Sequence, residues 1–278
     1  MKTHLALVPA FALIAASLAG CDWKAQLELG DATPGADGKA QFSYTGLAGC
    51  LFGCSVSHAM MTGTLETIDV DGDALPARLT ASIDDATVLT GDTLTEDLEC
   101  CTQTTAGDGT VSGGCEAIQE GDACAGTLHR SYSIDVNAVA PGAATLTLHA
   151  ADGSVFDTVL LHVANPASLA FSCTFDGAGA TGETVQTGSV HLAAGQQCGF
   201  QVNAFDGAGD ALQASEGFQI TAADPNVAEA QPFFDLQLGP PDQPVNDSVG
   251  EIVGMASGST TIVVQTNGIT QAVPVAVQ

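Results

Sequence analysis

Positive charge is nearly absent from this 278-residue chain: five lysines and arginines stand against 32 aspartates and glutamates, a formal net charge of −27. Binding to nucleic acid or to anionic lipid head groups depends on lysine and arginine neutralising phosphates, so this composition excludes a nucleic-acid partner. Aromatic residues are scarce at 5%. The one tryptophan, Trp23, lies near the N-terminus, and the only tyrosines are Tyr44 and Tyr132, which leaves little material for the exposed aromatic platforms of a carbohydrate site. Catalytic signatures are missing as well: there is no Gly-x-Ser-x-Gly, Ser-x-x-Lys or His-Glu-x-x-His, and no Gly-rich phosphate cradle. His58, His129, His149, His162 and His191 are scattered singly, and His149 and His162 fall where strand side chains point outward. The expectation is a non-enzymatic protein without a cofactor, a site too dispersed to read being the weakest alternative.

Sustained helical periodicity is also lacking, and what stands in its place is alternation. Thr145-Leu-Thr-Leu-His149 and Phe200-Gln-Val-Asn-Ala204 have the period of half-buried strands, between turns rich in Gly, Asp and Pro. Apolar residues make up 45% of the chain, enough to build a core. The expected fold class is all-β, with two tandem sandwich domains of ordinary size.

At the N-terminus, Met1-Lys2-Thr3-His4 forms a short basic segment ahead of an apolar run from Leu5 to Leu18. Such a run suits a signal peptide and is shorter than the roughly 20 apolar residues of a membrane span. It ends in Leu18-Ala19-Gly20-Cys21, which resembles the lipobox of bacterial lipoproteins. In that family the cysteine receives a thioether-linked diacylglycerol, signal peptidase II cuts before it, and the new amino group is usually acylated. The resemblance implies that residues 1–20 are removed and that Cys21 holds the mature protein to a membrane of the cell envelope, on its periplasmic or surface face. Each buried methylene contributes about 0.8 kcal/mol, so two or three acyl chains make the attachment effectively permanent. The competing reading is an ordinary secretory signal followed by an incidental cysteine. Residues 21–40, with Gly30-Asp31, Thr33-Pro34-Gly35 and Asp37-Gly38, read as a tether.

Setting Cys21 aside makes the remaining cysteines even in number, which in an exported chain favours disulfides over zinc, the sharper alternative. Cys173 and Cys198, the only pair in the C-terminal half, are expected to bridge the first strand of their domain to a later one. Cys50, Cys54, Cys100, Cys101, Cys115 and Cys124 all lie in the N-terminal half. Neighbouring residues in an extended chain point to opposite faces, so Cys100 and Cys101 should find different partners. One is expected to reach the Cys50/Cys54 segment, and the other to stay within the loop carrying Cys115 and Cys124.

The two halves, 41–165 and 166–278, end alike. Gly142 to Gly153 followed by Thr158 to Val163, and Gly258 to Gly268 followed by Ala272 to Val277, each read as a strand, an Asp-Gly or Asn-Gly turn and a returning strand. Upstream, Ile68 to Asp73 and Ser82 to Leu89 correspond to Phe200 to Gly209 and Ile220 to Ala228. Ala223-Asp-Pro-Asn-Val-Ala228, Gly250-Glu-Ile-Val-Gly-Met-Ala-Ser-Gly-Ser-Thr-Thr-Ile262 and Asn267-Gly268 are similar to the pattern of group 2 bacterial immunoglobulin-like domains. The resemblance covers roughly residues 166–278. It departs from that pattern where Phe218 or Ile220 replaces a tryptophan, and in a Pro-rich insertion between Ala230 and Val249. The first half is more divergent, with a Cys-rich insertion at Cys100 to Cys124. The resemblance implies immunoglobulin-like sandwiches serving as spacer, adhesion or protein-interaction modules.

The alternative is a calcium- or glycan-binding lipoprotein that uses acidic loops or the Cys-rich insertion. Its best metal candidate is Asp69-Val-Asp71-Gly-Asp73, although an EF-hand wants glycine sixth and glutamate twelfth, and here Gly72 comes fourth and Thr80 twelfth. A turn between strands is the plainer reading, as it is for Phe175 to Gly179 and Phe205 to Gly209.

Overall fold

A computed structural model describes residues 32–45, 54–55, 58–72, 74–105, 111–174, 185–186, 189–231 and 248–278. These carry strands and turns and, as expected, form an all-β, immunoglobulin-like protein. The first half holds β1 (Thr33–Pro34), β2 (Gln41–Thr45), β3 (Cys54–Ser55), β4 (Met60–Met61), β5 (Leu65–Asp71), β6 (Thr80–Ile83), β7 (Leu89–Gly91), β8 (Thr95–Thr105), β9 (Val111–Ala117), β10 (Thr127–Ala138), β11 (Gly142–His149) and β12 (Val155–Ala164). One sheet runs β1-β2-β5-β10-β8-β9, with β3 on β2 and β7 on β10, and it packs on a second sheet, β4-β12-β11-β6. The second half holds β13 (Ser168–Thr174), β14 (Val185–Gln186), β15 (Val190–Leu192), β16 (Gln197–Phe205), β17 (Ala211–Leu212), β18 (Gln219–Ala222), β19 (Ala228–Gln231), β20 (Val249–Gly254), β21 (Gly258–Thr266) and β22 (Ile269–Val277). Its sheets are β14-β13-β16-β20-β19, with β17 on β16, and β15-β22-β21-β18.

Alternation drives each sandwich. Phe42, Tyr44, Ile68, Val70, Ile134 and Val136 from one sheet meet Leu146, Leu148, Leu161 and Val163 from the other in the first core. Phe171, Phe200, Val202, Ile252, Ile262, Val264 and Val275 fill the second. The phenyl rings of Phe171 and Phe200 stack with centroids 5.5 Å apart. At about 25 cal/mol per Å² of apolar surface removed from water, these cores supply the main stabilising term.

The repeat read in the sequence is a repeat of the chain's path. Both halves contain a short parallel pair, β4 with β12 and β15 with β22. In both, the chain switches sheets at an aspartate corner, from β6 to β7 and from β18 to β19. Asp85 accepts Thr87 N–H at 2.9 Å and Asp224 accepts Asn226 N–H at 3.0 Å. Each corner is backed by a glycine that opens the closing hairpin of its half: a Cβ at Gly142 would lie 2.7 Å from Val88 Cγ2, and one at Gly258 would lie 3.0 Å from Val227 Cγ2. The closing hairpins differ in one respect. Asn267 (φ 43°) and Gly268 (φ 80°) make the expected two-residue turn between Thr266 and Ile269. In the first half, a register shift at Leu148/His149 accompanies a longer turn, in which Asp152 accepts Ser154 N–H.

The expected tether is too long at its C-terminal end. Thr33 and Pro34 pair with Phe42 and Gln41. Gly35 and Ala36 donate backbone hydrogen bonds to Ala40 and Thr158. Asp157, fully buried on β12, accepts from the backbone N–H of Asp37 (2.9 Å), Lys39 (2.8 Å) and Ala40 (2.9 Å), and from its neighbour Thr158 (2.8 Å). Residues 33–40 are therefore part of the first sandwich, stitched across both of its sheets. A Cβ at Gly35 would collide with the same carboxylate.

Candidate functional site

Two places gather polar chemistry on this frame: the joint between the sandwiches and an arm built by β8 and β9.

The joint is centred on Met60-Met61. Both side chains are fully buried, but Met60 belongs to the first core and Met61 to the second, because successive side chains of a strand point to opposite faces. Met61 N–H donates to Gln213 O (2.8 Å) and Gln213 N–H donates to Ala59 O (2.8 Å), so the backbones of the two halves bond directly. Thr266 Oγ1 donates to Gly217 O and is 3.7 Å from Met61 Sδ. Asn267 Nδ2 donates to Thr62 O from the tip of the closing hairpin.

Glu66 sits within this joint with 1% of its surface exposed. Its carboxylate accepts Ser215 N–H at 2.8 Å, Ser215 Oγ–H at 3.0 Å and Gln213 Nε2–H at 3.3 Å, all from the second half. Burial pushes the carboxyl above the usual glutamate range, the Ser215 and Gln213 bonds oppose that, and the Glu216 carboxylate adds to it. Burial raises the Tyr44 phenol as well, with a smaller contribution from the charge of Glu66. Tyr44 donates to His58 O at 3.3 Å.

The arm begins on β8. From Glu99↔Ala117 to Thr105↔Val111 it pairs with β9 without a break, while its first half pairs with β10. Cys100 is bonded to Cys124 and Cys101 to Cys115. The two neighbours do take different partners, but neither reaches the Cys50/Cys54 segment. Cys101 stands directly opposite Cys115 in the register, and the loop after β9 returns across β8, which delivers Cys124 to the other face. Cys50 lies outside the described residues, and Cys54 is in β3. In the second half, Cys173 on β13 is bonded to Cys198 on β16, a neighbouring strand of the same sheet.

At the base of the arm, Arg130 Nε lies 2.6 Å from Glu96 Oε1, and Arg130 Nη1 donates to Leu75 O. Tyr132 donates its hydroxyl proton to Pro76 O at 2.6 Å and accepts from Leu79 N–H at 3.4 Å. Both tyrosines of the chain are thus 1% exposed core residues that satisfy loop carbonyls, and neither offers a surface for stacking a sugar.

The remaining candidates that the structure describes lie on separate elements. Cys21 and Trp23 lie outside the described residues, as do Asp73 and the segments 175–184 and 232–247. Asp69 and Asp71 are on β5, alternating with buried Ile68 and Val70, so they belong to a strand face and not to a calcium-wrapping loop. The Phe205 to Gly209 segment is a turn, in which Asp206 accepts N–H bonds from Ala208 and Asp210. His149 Nε2 lies 2.8 Å from Ser82 Oγ, and His191 Nε2 lies 2.9 Å from Ser189 Oγ. Among the described residues, the one group with metal-like spacing is Glu99, Cys101 and Cys115, and its two sulfurs are bonded to each other.

Glu66 and Asp157 are the residues that sequence reasoning missed. Each carried a readable signal, an acid in the inward register of a strand: Glu66 with Ile68 and Val70, Asp157 with Val159, Leu161 and Val163.

Neither a family model nor a curated protein matches the chain. Among solved structures, domains 4 and 5 of the S-layer protein SbsC are 22% identical, covering 51% of this chain and 68% of that one with a TM-score of 0.25. The Escherichia coli adhesin FdeC is 11% identical over 86% of this chain and 64% of its own, with a TM-score of 0.28. A β-glycosidase from Bacteroides vulgatus is 10% identical over 72% of this chain and 25% of its own, with a TM-score of 0.27. At these TM-scores the likenesses assign no role, and the functional reading is drawn from this chain's own residues.

Proposed function

We propose that this protein is a lipid-anchored component of a bacterial cell envelope, whose two sandwiches, akin to group 2 bacterial immunoglobulin-like domains, act together as a non-catalytic spacer and interaction module. The joint carries this reading. Met60 and Met61 belong to separate cores, backbone hydrogen bonds cross between the halves, and Glu66 is buried by the second half. A joint of this kind transmits orientation from one sandwich to the next, which suits a protein that must hold its far end away from a surface.

At the near end, Asp157 stitches residues 37–40 into the first sandwich, so a pull arriving from an N-terminal anchor enters the fold through β2 and β12. The acidic surface keeps the module off anionic head groups and off nucleic acid. The disulfides belong with an oxidising compartment.

The test is lipidation at Cys21. Cells expressing the full chain and fed an alkynyl fatty acid should incorporate label into the wild type and not into Cys21→Ala, and the variant should leave the membrane fraction. An unlabelled wild type, or a variant that still sediments with membranes, refutes the anchor.

A further inference from the structure

Sandwich proteins blunt the strands that end their sheets, because an unpaired row of backbone N–H and C=O groups is a template for another chain. Among the described residues, seven of the eight sheet ends obey this rule. β1, β4 and β14 have two residues each, β15 has three, and β6, β18 and β19 have four, with Pro34 inside β1. The exception is β9. It has seven residues, Val-Ser-Gly-Gly-Cys-Glu-Ala, with no proline, no lysine and no break in register. Residues 113–117 are all exposed.

The register shows which groups are free. The Cα atoms of Cys101 and Cys115 are 4.0 Å apart, the close approach of a non-hydrogen-bonded pair. The N–H and C=O of Cys115 therefore point away from β8, and by alternation so do those of Gly113 and Ala117. Two further features favour an incoming strand. Gly113-Gly114 presents bare backbone, with open space where a Gly114 side chain would stand. The Cys101–Cys115 and Cys100–Cys124 bonds fix the edge before anything arrives, which removes an ordering cost from binding.

We propose that β9 is a docking edge that takes an extended segment of a basic partner polypeptide by strand addition. Charge selects the occupant. No lysine or arginine lies between Arg78 and Arg130, and these two are already beside Glu120 and Glu96. Glu116 stands on the edge strand itself, and Asp97 and Glu99 stand on β8 behind it, on the other face, so an added strand meets carboxylates and no cation. A second copy of this chain, with net charge −27, brings acid against acid. This deepens the interaction-module reading and rests on it.

The test uses the chain from residue 22 onward, oxidised, with labelled octapeptides followed by fluorescence anisotropy. A Lys-Thr alternating peptide should bind and an alternating Glu-Thr peptide should not. The Lys-Thr peptide N-methylated at alternate residues, in either register, keeps its charge but loses one row of donors, and one of the two registers should bind about tenfold more weakly or worse. Gly113→Pro removes only an outward N–H, and proline is tolerated on edge strands. It should leave the melting temperature unchanged and weaken binding by about tenfold or more. Ala117→Pro, which also removes an outward donor, is the second variant should the first misfold. Three results overturn the proposal: no binding at millimolar peptide, equal binding by wild type and both folded proline variants, or wild-type dimers that the proline variants abolish. None of these bears on Cys21 labelling, so the edge and the anchored-module reading fail separately.

Discussion

Replacing Asp157 by alanine tests how the N-terminal segment is held. The buried carboxylate accepts three N–H bonds from residues 37–40 and one from Thr158, all at 2.8–2.9 Å. A hydrogen bond to a charged group contributes about 1.5–3 kcal/mol, and a buried donor left unpaired costs about 1–3 kcal/mol. Asp37 and Lys39 are exposed enough for water to take over their amides, whereas Ala40 is fully buried. The expected loss is therefore well below the sum of the bonds, about 3 kcal/mol, or roughly 10 °C in melting temperature for a chain of this size. Asp157→Asn keeps one acceptor but turns an amide donor toward two of the N–H groups, so it should fall between the wild type and the alanine variant.

The pH dependence has a definite sign. Burial alone would raise this carboxyl, but the N–H bonds from Asp37, Ala40, Thr158 and Lys39 outweigh it and hold the group below the usual aspartate range. The folded protein therefore releases the proton more readily than the unfolded chain. The stabilisation is complete above about pH 4, the ordinary aspartate value, and is lost as the pH falls through the lower folded value. The gap in urea midpoint between wild type and Asp157→Ala should narrow as the pH falls below the ordinary aspartate value. An alanine variant that melts within about 2 °C of wild type at neutral pH refutes the reasoning, as does a gap that stays constant on acidification.

Glu66 should show the opposite slope. Its folded-state pKa is raised, so the folded chain binds more protons, and stability falls as the pH rises from about 4.3 through that raised value; Glu66→Gln should remove this slope, and parallel urea profiles for the two proteins as the pH rises above the ordinary glutamate value would sink the assignment. Tyr132→Phe leaves Pro76 O and Leu79 N–H without their phenol partner and should cost about 1 kcal/mol, read as a fall of about 3 °C in melting temperature; an unchanged value would show that water replaces the hydroxyl.

What could be read from the sequence were features set by local chemistry. Asn267-Gly268 dictates a two-residue turn because both residues tolerate positive φ, and the Asp-x-Asn corner at Asp224 carries its own side-chain bond. Pairings between distant segments were not legible in the same way. Met60-Met61 reads as two ordinary core residues, and nothing local says that they enter different cores. Alternation separates the partners of Cys100 and Cys101, but that both lie in the loop carrying Cys115 and Cys124, and neither in the Cys50/Cys54 segment, depends on the return path of the chain after β9, which periodicity does not encode. Residues 33–40 read as tether because Gly, Pro and Asp suit a linker and a tight turn equally, and the deciding residue, Asp157, lies more than a hundred positions away.

The two halves also differ where the shared frame stops constraining them. Both carry their insertion in the same connection, between β7 and β10 in the first and between β19 and β20 in the second, leading into the strand that pairs with β5 or β16. In each half the frame residues are the aspartate corner, its backing glycine and the closing hairpin, and they recur because packing requires them. Nothing in that packing requires the β8–β9 arm: residues 113–117 of its outer strand face solvent, yet two disulfides hold it in shape. A covalently fixed strand that is exposed from residue 113 to 117 contributes little to the sandwich it leaves. Its rigidity is therefore better explained by something that must meet it in one conformation than by the stability of the domain that bears it.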